Sequence, residues 1–500
     1  MRSSNLSTPR LHLSWWPLVL IASGAWLLRI AGFFHRGGAF GHPVDYDEGV
    51  YFSAAALLSH GVLPYRDYFF VHPPGIAMLL APVAALARGF DAALAFAVVR
   101  WLVPGIGALS TLLCGRIAQE QWGVRAGVVA ALAYAVFPEA AATERGPFLE
   151  PLLNLACLGM AWVWLRHGAD VSRWKGDLLA GALLATACAI KLTAGAWVIA
   201  AVWARGMAGQ GRRALRVVLV AAAVGLVWLG PFFALAPSAM LDGLLRFQLL
   251  RPPDGESDVW RRLLMVLGDG RMGFSVLCVW GLVVALARTR RREAVAERLF
   301  AAAWVLTLVT FLSSKSYWAQ YNAHLAPTMA VLAGLGASVV LSWADTRSRT
   351  QAALVTATVM LIALSPLPAA IRSANQRDRF LLTLGSSLQA SVSPDSALCT
   401  FEPAWAIAAG RLPGIPEGTP VLVDPYGLML NDALDTPGRF AHAGAAFEDE
   451  RSQRTMLPML ARCDILVLEG RGEWQLSSAS ERWVHEHFVR EGLFWRRASE

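Results

Sequence analysis

The sequence predicts a polytopic α-helical membrane protein with a small α/β domain at its carboxyl-terminal end. Of its 500 residues, 56% are hydrophobic and only 16% are charged, and the mean hydropathy is +0.46. A soluble domain usually carries about 25% charged residues. The hydrophobic residues form long runs, whereas the chain after about residue 385 has the composition of a soluble domain. Most of this chain is therefore expected to lie in a lipid bilayer.

About twelve apolar segments occupy the first three quarters of the chain, which predicts about 11–13 transmembrane helices. A crossing helix needs about 20 residues, so pairs of shorter segments leave the exact number open. The first segment follows Arg2 and Arg10 and lacks a cleavage site of small residues, which predicts a retained span rather than a removed signal. The twelve segments are 12–33, 74–88, 97–117, 123–138, 148–165, 177–190, 192–204, 214–235, 271–288, 297–314, 323–343 and 351–370.

Positive charges in short loops predict which side of the membrane each loop faces, because Lys and Arg concentrate in cytoplasmic loops. Basic loops flank the stretch 177–204, so it is expected to cross twice as a hairpin with Lys191 at its outer tip. The tail from residue 371 is expected on the outer side. The loops predicted to be cytoplasmic are 166–175, 205–216, 288–298 and 344–349, and those predicted to face outward are 35–73, 139–147, 236–270 and 315–322.

The predicted topology is inconsistent at one loop, because counting the membrane crossings from the two ends of the chain places it on different sides. If the loop 35–73 is outside, segments 74–88 and 97–117 return the chain to the outside, and segment 123–138 then puts the next loop inside. The count from the other end of the chain puts that loop outside. One of these three segments is therefore predicted to be re-entrant or to lie in the membrane interface.

The chain divides into a membrane domain at 1–370 and an extracytoplasmic α/β domain at 371–500. In the second domain, short apolar runs predict buried strands, and helical patterns separate them. It contains no GxGxxG, P-loop or GxSxG motif. The predicted strands are SALCTF (396–401), PVLVDP (420–425) and CDILVLEG (463–470), and the predicted helices lie around 403–410 and 449–462.

Six cysteines are present, and four of them lie inside apolar segments, where cysteine behaves as a small hydrophobic residue. Cys399 and Cys463 lie in the tail. They can form a disulfide if the tail is outside the cytoplasm, but the sequence slightly favours two free thiols. The net charge of +8 is not accompanied by a long basic run or an aromatic stacking platform, so nucleic acid is not an expected partner.

The first outer loop carries three carboxylates in VDYDEGVYF, namely Asp45, Asp47 and Glu48. Charged residues at the edge of a bilayer are costly and favour a functional interpretation. The same acids can instead cap a helix that begins near Gly49, because acidic residues stabilise helix amino termini. Spacing alone leaves both interpretations open.

Further polar residues fall on the same predicted side of the membrane. Lys191 is a lone charge among apolar residues, although a residue at a hairpin tip needs no partner, and the aromatic residues near 313–327 can be interfacial. Together these groups predict a pocket with carboxylates and cations, suited to a phosphate-bearing lipid and a polar co-substrate. A carboxylate can accept a proton from an attacking hydroxyl, and cations can offset charge on a departing phosphate. The additional polar residues are Glu144, Arg145, Glu150, Lys315, Tyr317, Gln320, Tyr321 and His324.

The order of these motifs resembles the GT-C superfamily of membrane glycosyltransferases, and within it the protein O-mannosyltransferase and aminoarabinose-transferase group (the dolichyl-phosphate-mannose-protein mannosyltransferase-like family). The resemblance covers about residues 12–345. It consists of an outer-loop DE, a Pro-Pro helix start, an Arg followed by an acid, a mid-membrane Lys and a later YxxxLxP-like helix start. These motifs are short, and they are specific only as a set.

The resemblance implies a role for each candidate residue. Asp47 would be the catalytic base with Glu48 beside it, and Asp45 is a rival because the YDE motif can be read in either register. Glu150 would be the acid that follows the family's arginine, although its spacing from Arg145 is longer than usual. The residues expected to bind donor phosphate or substrate are His72, Arg145, Glu150, Lys191, Tyr321 and His324.

The expected function is that of an inverting glycosyltransferase that takes a sugar from a polyprenyl phosphate. The acceptor would be a glycan, lipid or protein, and the enzyme would be a multi-pass protein of the inner (plasma) membrane with its active site and tail outside the cytoplasm. No cofactor is expected to be required, and a divalent ion held by Asp47 and Glu48 is the minor alternative.

Two other function classes remain as alternatives. A transporter or flippase should show two related halves, and none is visible. A surface-polysaccharide ligase or polymerase is compatible with the arginines of the loop 236–270.

Overall fold

The computed structural model describes residues 15–166, 174–268, 271–435 and 440–498. Most of the predicted basic loop 166–175 lies outside these ranges. Every one of the twelve predicted apolar segments contains α-helix. The helices of the membrane part are α1 (Trp16–Ile30), α2 (Tyr46–Ser59), α3 (Gly75–Ala84), α4 (Leu86–Gly89), α5 (Ala92–Trp122), α6 (Val124–Ala135), α7 (Pro138–Thr143), α8 (Leu149–Arg166), α9 (Trp174–Ile190), α10 (Gly195–Gly206), α11 (Gly211–Leu235), α12 (Pro237–Leu241), α13 (Phe247–Leu250), α14 (Val259–Leu267), α15 (Met272–Arg288), α16 (Val295–Ser313), α17 (Asn322–Ala344), α18 (Arg349–Ala363) and α19 (Leu367–Ala374).

A smaller unit follows the membrane part and contains short helices and a sheet. Its helices are α20 (Phe380–Ser391), α21 (Pro403–Ala408), α22 (Pro425–Asp432), α23 (Ala443–Phe447), α24 (Met456–Leu460), α25 (Arg471–Gln475) and α26 (Ser478–His487). The strands are β1 (Asp254–Gly255) and β2 (Ser316–Tyr317), which pair in the membrane part, and β3 (Leu398–Thr400), β4 (Ile465–Val467), β5 (Phe488–Glu491) and β6 (Phe494–Arg497) in the smaller unit.

Length and composition make the first part of the chain a multi-pass membrane protein. Among the described residues, six helices are long and apolar enough to cross a bilayer, and a seventh span results if the bent pair α14 and α15 is counted as one. The six are Trp16–Phe34, Ala92–Trp122, Gly211–Leu235, Val295–Ser313, Ala319–Ala344 and Arg349–Ala374. The other apolar segments form shorter helices within the same bundle.

The segment that does not cross is the predicted segment 74–88, which forms α3 and α4. At its start, Gly75 packs against the backbone of Ala189, close to Lys191. At its far end, the backbone N–H of Ala92 donates to the carbonyl of Gly410, in the smaller unit, at 3.3 Å. Lys191 and the smaller unit lie on the same side of the bundle, because both contribute to one cavity. The segment therefore begins and ends on one side.

Helix α6 is only 12 residues long, yet it connects the two sides of the bundle. Arg125 at its start pairs with Asp345 at 2.8 Å, beyond the last residue of α17. Glu139, just after α6, accepts from Asn322, the first residue of α17, at 3.4 Å. The 23 residues of α17 separate these points by about 34 Å at about 1.5 Å per residue. If α3 and α4 are not counted as a membrane crossing, the predicted loops alternate between the two sides, and the two counts of crossings agree.

The predicted helical hairpin around Lys191 is confirmed. Helix α9 ends at Ile190, and α10 begins at Gly195 after a short 3₁₀ turn. The Lys191 ammonium pairs with Glu150, at the start of α8, at 2.8 Å. At the other end of α9, Asp177 pairs with Arg213 of the basic stretch 205–216 at 2.7 Å. The lysine and the basic stretch therefore lie at opposite ends of this part of the bundle.

The smaller unit is built on a four-stranded mixed sheet in the order β3-β4-β6-β5, with β3 and β4 parallel and the remaining pairs antiparallel. The strands predicted within 396–401 and 463–470 are confirmed. The strand predicted at 420–425 is wrong, because Asp424 caps α22 by accepting from the backbone N–H of Gly427 at 2.8 Å, and Pro425 opens the helix. The sequence analysis did not predict β5 and β6, because their several polar residues obscure the alternation of apolar and polar residues that indicates a strand.

Cys399 and Cys463 form a disulfide with their Cα atoms 5.9 Å apart. The sequence-based preference for two free thiols is wrong. Cys399 lies on β3 and Cys463 lies just before β4, and the pairing of these adjacent parallel strands brings the two side chains together. The distance lies within the range that disulfides require.

The smaller unit packs directly on α2, the helix that follows the acidic cluster. A Cβ added at Gly49 would lie 2.5 Å from the backbone nitrogen of Ala404, so only glycine allows this approach. The two parts also share their hydrophobic cores, since Val71 and Phe247 of the membrane part pack among the core residues of the smaller unit. The residues of VDYDEGVYF are therefore enclosed between the two parts of the chain.

Candidate active site

The acidic cluster begins α2 with a capping box. Asp45 is the N-cap residue and accepts from the backbone N–H of Asp47 at 3.0 Å. The Glu48 carboxylate reaches back to accept from the backbone N–H of Asp45 at 3.1 Å. Reciprocal bonds of this kind satisfy the free amides of a helix start. The helix-cap interpretation is therefore right for Asp45 and Glu48. The side chain of Asp47 takes no part in this capping box.

Asp47 points into a cavity between the two parts of the chain. The amide of Gln320 contacts its carboxylate at 3.4 Å, and within the described ranges no lysine or arginine forms an ion pair with it. Burial, together with the nearby carboxylates of Asp45, Glu150 and Asp424, raises the pKa of Asp47 to about 7. A carboxyl group with such a pKa can exchange a proton near neutral pH.

The cavity has a volume of about 160 Å³ and a mouth that opens to solvent. The family resemblance considered nine residues for catalysis or substrate binding. Six of them line the cavity, and three lie elsewhere. Those in the wall are Asp45, Asp47, His72, Glu150, Lys191 and Tyr321, and those outside it are Glu48, Arg145 and His324.

Lys191 lies on the cavity wall as a partnered cation. Its ammonium is 2.8 Å from a carboxylate oxygen of Glu150 and 4.1 Å from the centre of the Tyr321 ring. The carboxylate and the ring face stabilise the buried charge. An ammonium has three N–H donors, so at least one stays available for a ligand in the cavity.

His72 lies on the cavity wall beside Tyr51, with its Nε2 atom 3.1 Å from the phenolic oxygen. Burial, together with the charges of Lys191 and Arg251, lowers the pKa of His72 to about 3. The ring is therefore neutral at physiological pH and can donate or accept one hydrogen bond. The hydroxyl of Tyr65 also donates to the backbone carbonyl of His72, which fixes this loop.

Glu48 faces away from the cavity, into a buried ion pair with Arg100. The carboxylate lies 3.0 Å from Nε of Arg100, and both side chains are almost fully buried. Arg100 also donates to the backbone carbonyls of Ala39, His42 and Pro43. Glu48 therefore fixes the start of α2 and the preceding loop, rather than contacting anything in the cavity.

Arg145 and His324 are buried behind the cavity wall. Arg145 donates to the hydroxyl of Ser373 at 2.7 Å, which fastens α19 to the loop 139–147. His324 contacts the Asn154 side chain through Nδ1 at 2.9 Å. The structure does not bring either residue into contact with the cavity.

The smaller unit supplies cavity residues that the sequence analysis missed. Asp424 accepts from the hydroxyl of Tyr46 at 2.8 Å, and the guanidinium of Arg471 lies 4.2 Å from the centre of the Tyr46 ring. The loop 236–270 adds Arg251 and Asp254, an ion pair at 2.5 Å. An Asp directly before Pro is a recognisable helix start, but nothing local to the sequence indicates that Asp424 faces α2.

The charges in the cavity are almost all paired. Lys191 pairs with Glu150, Arg251 with Asp254, and Arg471 with Glu402 at 2.8 Å. Asp45 is used in the helix cap. Asp47 is thus the carboxylate that no ion pair or cap occupies in the described part of the cavity wall. Among the described residues no three His, Cys, Asp or Glu side chains are placed to hold a metal ion, and the expectation that no metal is required stays a prediction.

The fold is similar to that of solved membrane glycosyltransferases. ArnT from Cupriavidus metallidurans, bound to undecaprenyl phosphate, matches with a TM-score of 0.60 and 16% identity, over 79% of this chain and 84% of that one. The archaeal oligosaccharyltransferase AglB from Archaeoglobus fulgidus, in complex with an inhibitory peptide and a dolichol-phosphate, matches with a TM-score of 0.59 and 12% identity, over 97% of this chain and 74% of that one.

No protein-family model and no curated protein sequence matches the chain. The similarity to solved structures nevertheless extends over most of it, including the smaller unit. The chain therefore has the GT-C fold that its motifs resemble.

Proposed function

We propose that this GT-C-fold protein is a glycosyltransferase that moves one sugar from a polyprenyl phosphate to an acceptor hydroxyl. The observation that carries the proposal is the free carboxylate of Asp47 in a cavity that also holds the Lys191 ammonium. The two groups have the complementary roles that the reaction needs. The ArnT and AglB structures contain undecaprenyl phosphate and dolichol-phosphate, which supports the same donor class here.

Asp47 is suited to act as the general base. It has no cation partner among the described residues, and its raised pKa of about 7 lies near the working pH. Glu150, another acid in the cavity wall, is already held in an ion pair with Lys191. Asp45 and Glu48 are occupied by the capping box. Of the three acids in VDYDEGVYF, only Asp47 is therefore available to accept a proton.

Lys191 is suited to hold the donor phosphate, with Arg251 as a second cation in the same wall. Each cation is already paired with one carboxylate, so it is preorganised and keeps further N–H donors for a phosphate. Neutral His72 can add a hydrogen bond. These three groups come from three separate loops, which explains why no single motif in the sequence defines the phosphate site.

The proposed reaction is a single displacement at the anomeric carbon. The acceptor oxygen forms a bond to that carbon, its proton moves to the Asp47 carboxylate, and the bond from carbon to phosphate oxygen breaks. The electron pair leaves with the polyprenyl phosphate, whose negative charge faces Lys191 and Arg251. Attack opposite the leaving group inverts the configuration of the sugar.

The position of the cavity favours an enzyme over a transporter. A transport pathway places its polar residues near the middle of the bilayer, whereas here they lie at one end of the bundle, beneath the smaller unit. We propose the inner (plasma) membrane as the location, with this end on the outer side. The basic stretch 205–216 at the opposite end of α9 supports that orientation.

The experiment compares two variants of adjacent acids in the purified full-length protein, reconstituted in lipid nanodiscs. The substrate is a set of radiolabelled undecaprenyl-phosphate sugars, and membranes of a deletion strain supply the acceptor. Asp47→Asn is expected to lower transfer by about 10²- to 10⁴-fold, the usual contribution of a general base. Asp45→Asn is the matched control, because Asn is an equally good N-cap, and it is expected to keep most of the activity.

The outcome separates the parts of the proposal. If Asp47→Asn transfers sugar normally, the base assignment is wrong. If the wild-type protein uses none of the monophosphate donors but uses a diphosphate-linked glycan, the polysaccharide ligase alternative replaces the proposal.

A further inference from the structure

A second cleft opens beside the catalytic cavity, and the proposed reaction does not explain it. We call it the outer cleft. It has a volume of about 490 Å³ and shares Asp254, Trp318, Tyr426 and Arg471 with the cavity. The two spaces are therefore separated only by one layer of side chains. The residues that line the outer cleft alone are Pro253, Gly255, Glu402, His442, Ala443, Gly444, Gly470 and Trp474.

The outer cleft presents aromatic faces to solvent. Trp474 is 51% exposed and Trp318 is 41% exposed, which is unusual for tryptophan outside the bilayer. Trp474 is held in place by edge-to-face contacts with Phe447 at 5.4 Å and with Tyr426 at 6.2 Å between ring centres. Its ring is therefore a fixed surface rather than a mobile side chain.

Hydrogen-bonding groups surround these rings. Arg471 is oriented by Glu402 at 2.8 Å, and both line the cleft. The Nδ1 atom of His442 accepts from the backbone N–H of Ala445 at 3.1 Å, so in the neutral ring the proton is on Nε2. The cleft thus combines flat apolar faces with charged and neutral donors and acceptors.

The walls of the cleft are joined by direct backbone hydrogen bonds. The backbone N–H of Asp254 donates to the carbonyl of Lys315 at 3.0 Å, which is the pairing of β1 with β2. The carbonyl of Pro253 accepts from the N–H of Ala443 in the smaller unit, also at 3.0 Å. The loop 251–258 is therefore hydrogen-bonded to both parts of the chain, and these bonds fix the walls of the cleft relative to each other. Such a preformed shape is typical of a ligand site.

We propose that the outer cleft binds a carbohydrate acceptor and directs its hydroxyl toward Asp47. A sugar ring has apolar C–H faces that pack on aromatic rings and hydroxyl edges that bond with Arg, His and carboxylate groups, and both kinds of contact are present. The proposal rests on the proposed function, because it names the acceptor class for the same reaction. Trp474 and Arg471 are then the residues that determine acceptor specificity.

The cleft is less suited to a lipid acceptor. A lipid needs an apolar lining, whereas Asp254, Glu402, His442 and Arg471 line the cleft. An extended peptide can pair with a free sheet edge, and β1 lines the cleft, so binding of peptides alone is the outcome that favours a peptide acceptor. A carbohydrate satisfies the aromatic faces and the polar groups together.

The test measures binding by the full-length protein in nanodiscs, immobilised on beads. Two fluorescently labelled pools serve as probes: oligosaccharides of two to four sugars released by mild acid from the envelope of the source organism, and a tryptic peptide pool. The variants are Trp474→Ala and, as a matched control, Trp483→Ala, which changes a partly buried tryptophan of the same unit that stacks on His487, outside the cleft. Asp47→Asn is included because it should lose transfer but keep acceptor binding.

We expect the wild-type protein, Asp47→Asn and Trp483→Ala to retain the oligosaccharide pool. Trp474→Ala should retain about tenfold less, the effect of losing an aromatic contact of about 1.4 kcal/mol. Equal retention by the two tryptophan variants, retention of peptides only, or no retention by the wild type would overturn the proposal.

The binding result is independent of the donor assay. If oligosaccharides bind but no polyprenyl-phosphate sugar is consumed, the proposed function fails while the outer cleft remains a carbohydrate site. If sugar is transferred but the oligosaccharides do not bind, the acceptor class is wrong and the proposed function stands. Undecaprenyl phosphate binding should be the same in Trp474→Ala and Trp483→Ala, which checks that both variants are folded.

Discussion

The hydroxyl of Tyr46 donates to the carboxylate of Asp424 at 2.8 Å and accepts from the backbone N–H of Tyr426 at 3.1 Å. Tyr46 stands between Asp45 and Asp47, so the smaller unit holds the residue that separates the two acids. Asp424 is 378 positions away in the chain. The smaller unit is therefore part of the cavity that holds Asp47, and its removal would be expected to leave that cavity incomplete.

Tyr46→Phe tests this connection. The change leaves the buried carboxylate of Asp424 without its hydroxyl donor, which is expected to lower the free energy of unfolding by about 1–3 kcal/mol. Because Asp47 is the next residue, sugar transfer should fall as well. The matched control is Tyr68→Phe, whose buried hydroxyl has no hydrogen-bond partner among the described residues. Thermal unfolding and transfer assays of the two variants should differ, and equal behaviour would contradict the proposed coupling.

The rate of transfer should depend on pH through Asp47. Its pKa is raised to about 7, and the base must be ionised, so activity should rise with pH through about 7 and fall about tenfold per unit below it. The carboxylate of Asp45 raises this pKa, so Asp45→Asn should move the midpoint to lower pH. The measurement is a pH–rate profile of the wild type and of Asp45→Asn. A flat profile between pH 5.5 and 7, or a midpoint that moves upward, would disagree with the assignment.

Lys191→Met should weaken donor binding more than acceptor use. The substitution removes the ammonium that is proposed to bind the donor phosphate. It is expected to raise the KM for the donor by about tenfold or more, since charge-assisted hydrogen bonds contribute about 1.5–3 kcal/mol. It also leaves Glu150 buried without its cation. The double variant Lys191→Met, Glu150→Gln removes both charges and should recover stability without recovering donor affinity. Recovery of both would indicate that Lys191 only balances Glu150.

Glu48→Gln should affect stability through Arg100 and leave the pH–rate midpoint unchanged. The glutamine side chain still accepts from the backbone N–H of Asp45, but the buried guanidinium loses its counter-charge at a cost of about 3 kcal/mol. The control is Asp345→Asn, which breaks the exposed pair with Arg125 and should cost less than about 1 kcal/mol. Chemical denaturation measures both costs. A shift of the pH–rate midpoint in Glu48→Gln would make Glu48 part of the proton transfer.

The sequence by itself determined the class of the protein and the location of its polar residues. Hydrophobic runs, basic loops and helix or strand periods depend on neighbouring residues, so the twelve helical segments, the hairpin at Lys191 and the strands near Cys399 and Cys463 were predictable. The acidic cluster was recognisable because three carboxylates follow an apolar helix. The helix-cap interpretation was correct for Asp45 and Glu48, and the functional interpretation of Asp47 stays a prediction.

Only the tertiary structure decided how these groups are used. Ion pairs such as Glu48 with Arg100 and Lys191 with Glu150 join residues that are 52 and 41 positions apart, and they determine which acid stays free. Other long-range contacts hold Arg145 behind the cavity wall, through Ser373, and bring Asp424 into the wall, through Tyr46. Whether a charged group binds a ligand or balances a neighbour depends on which partner reaches it in the folded chain. That information is in the packing of distant segments, and no local pattern in the sequence records it.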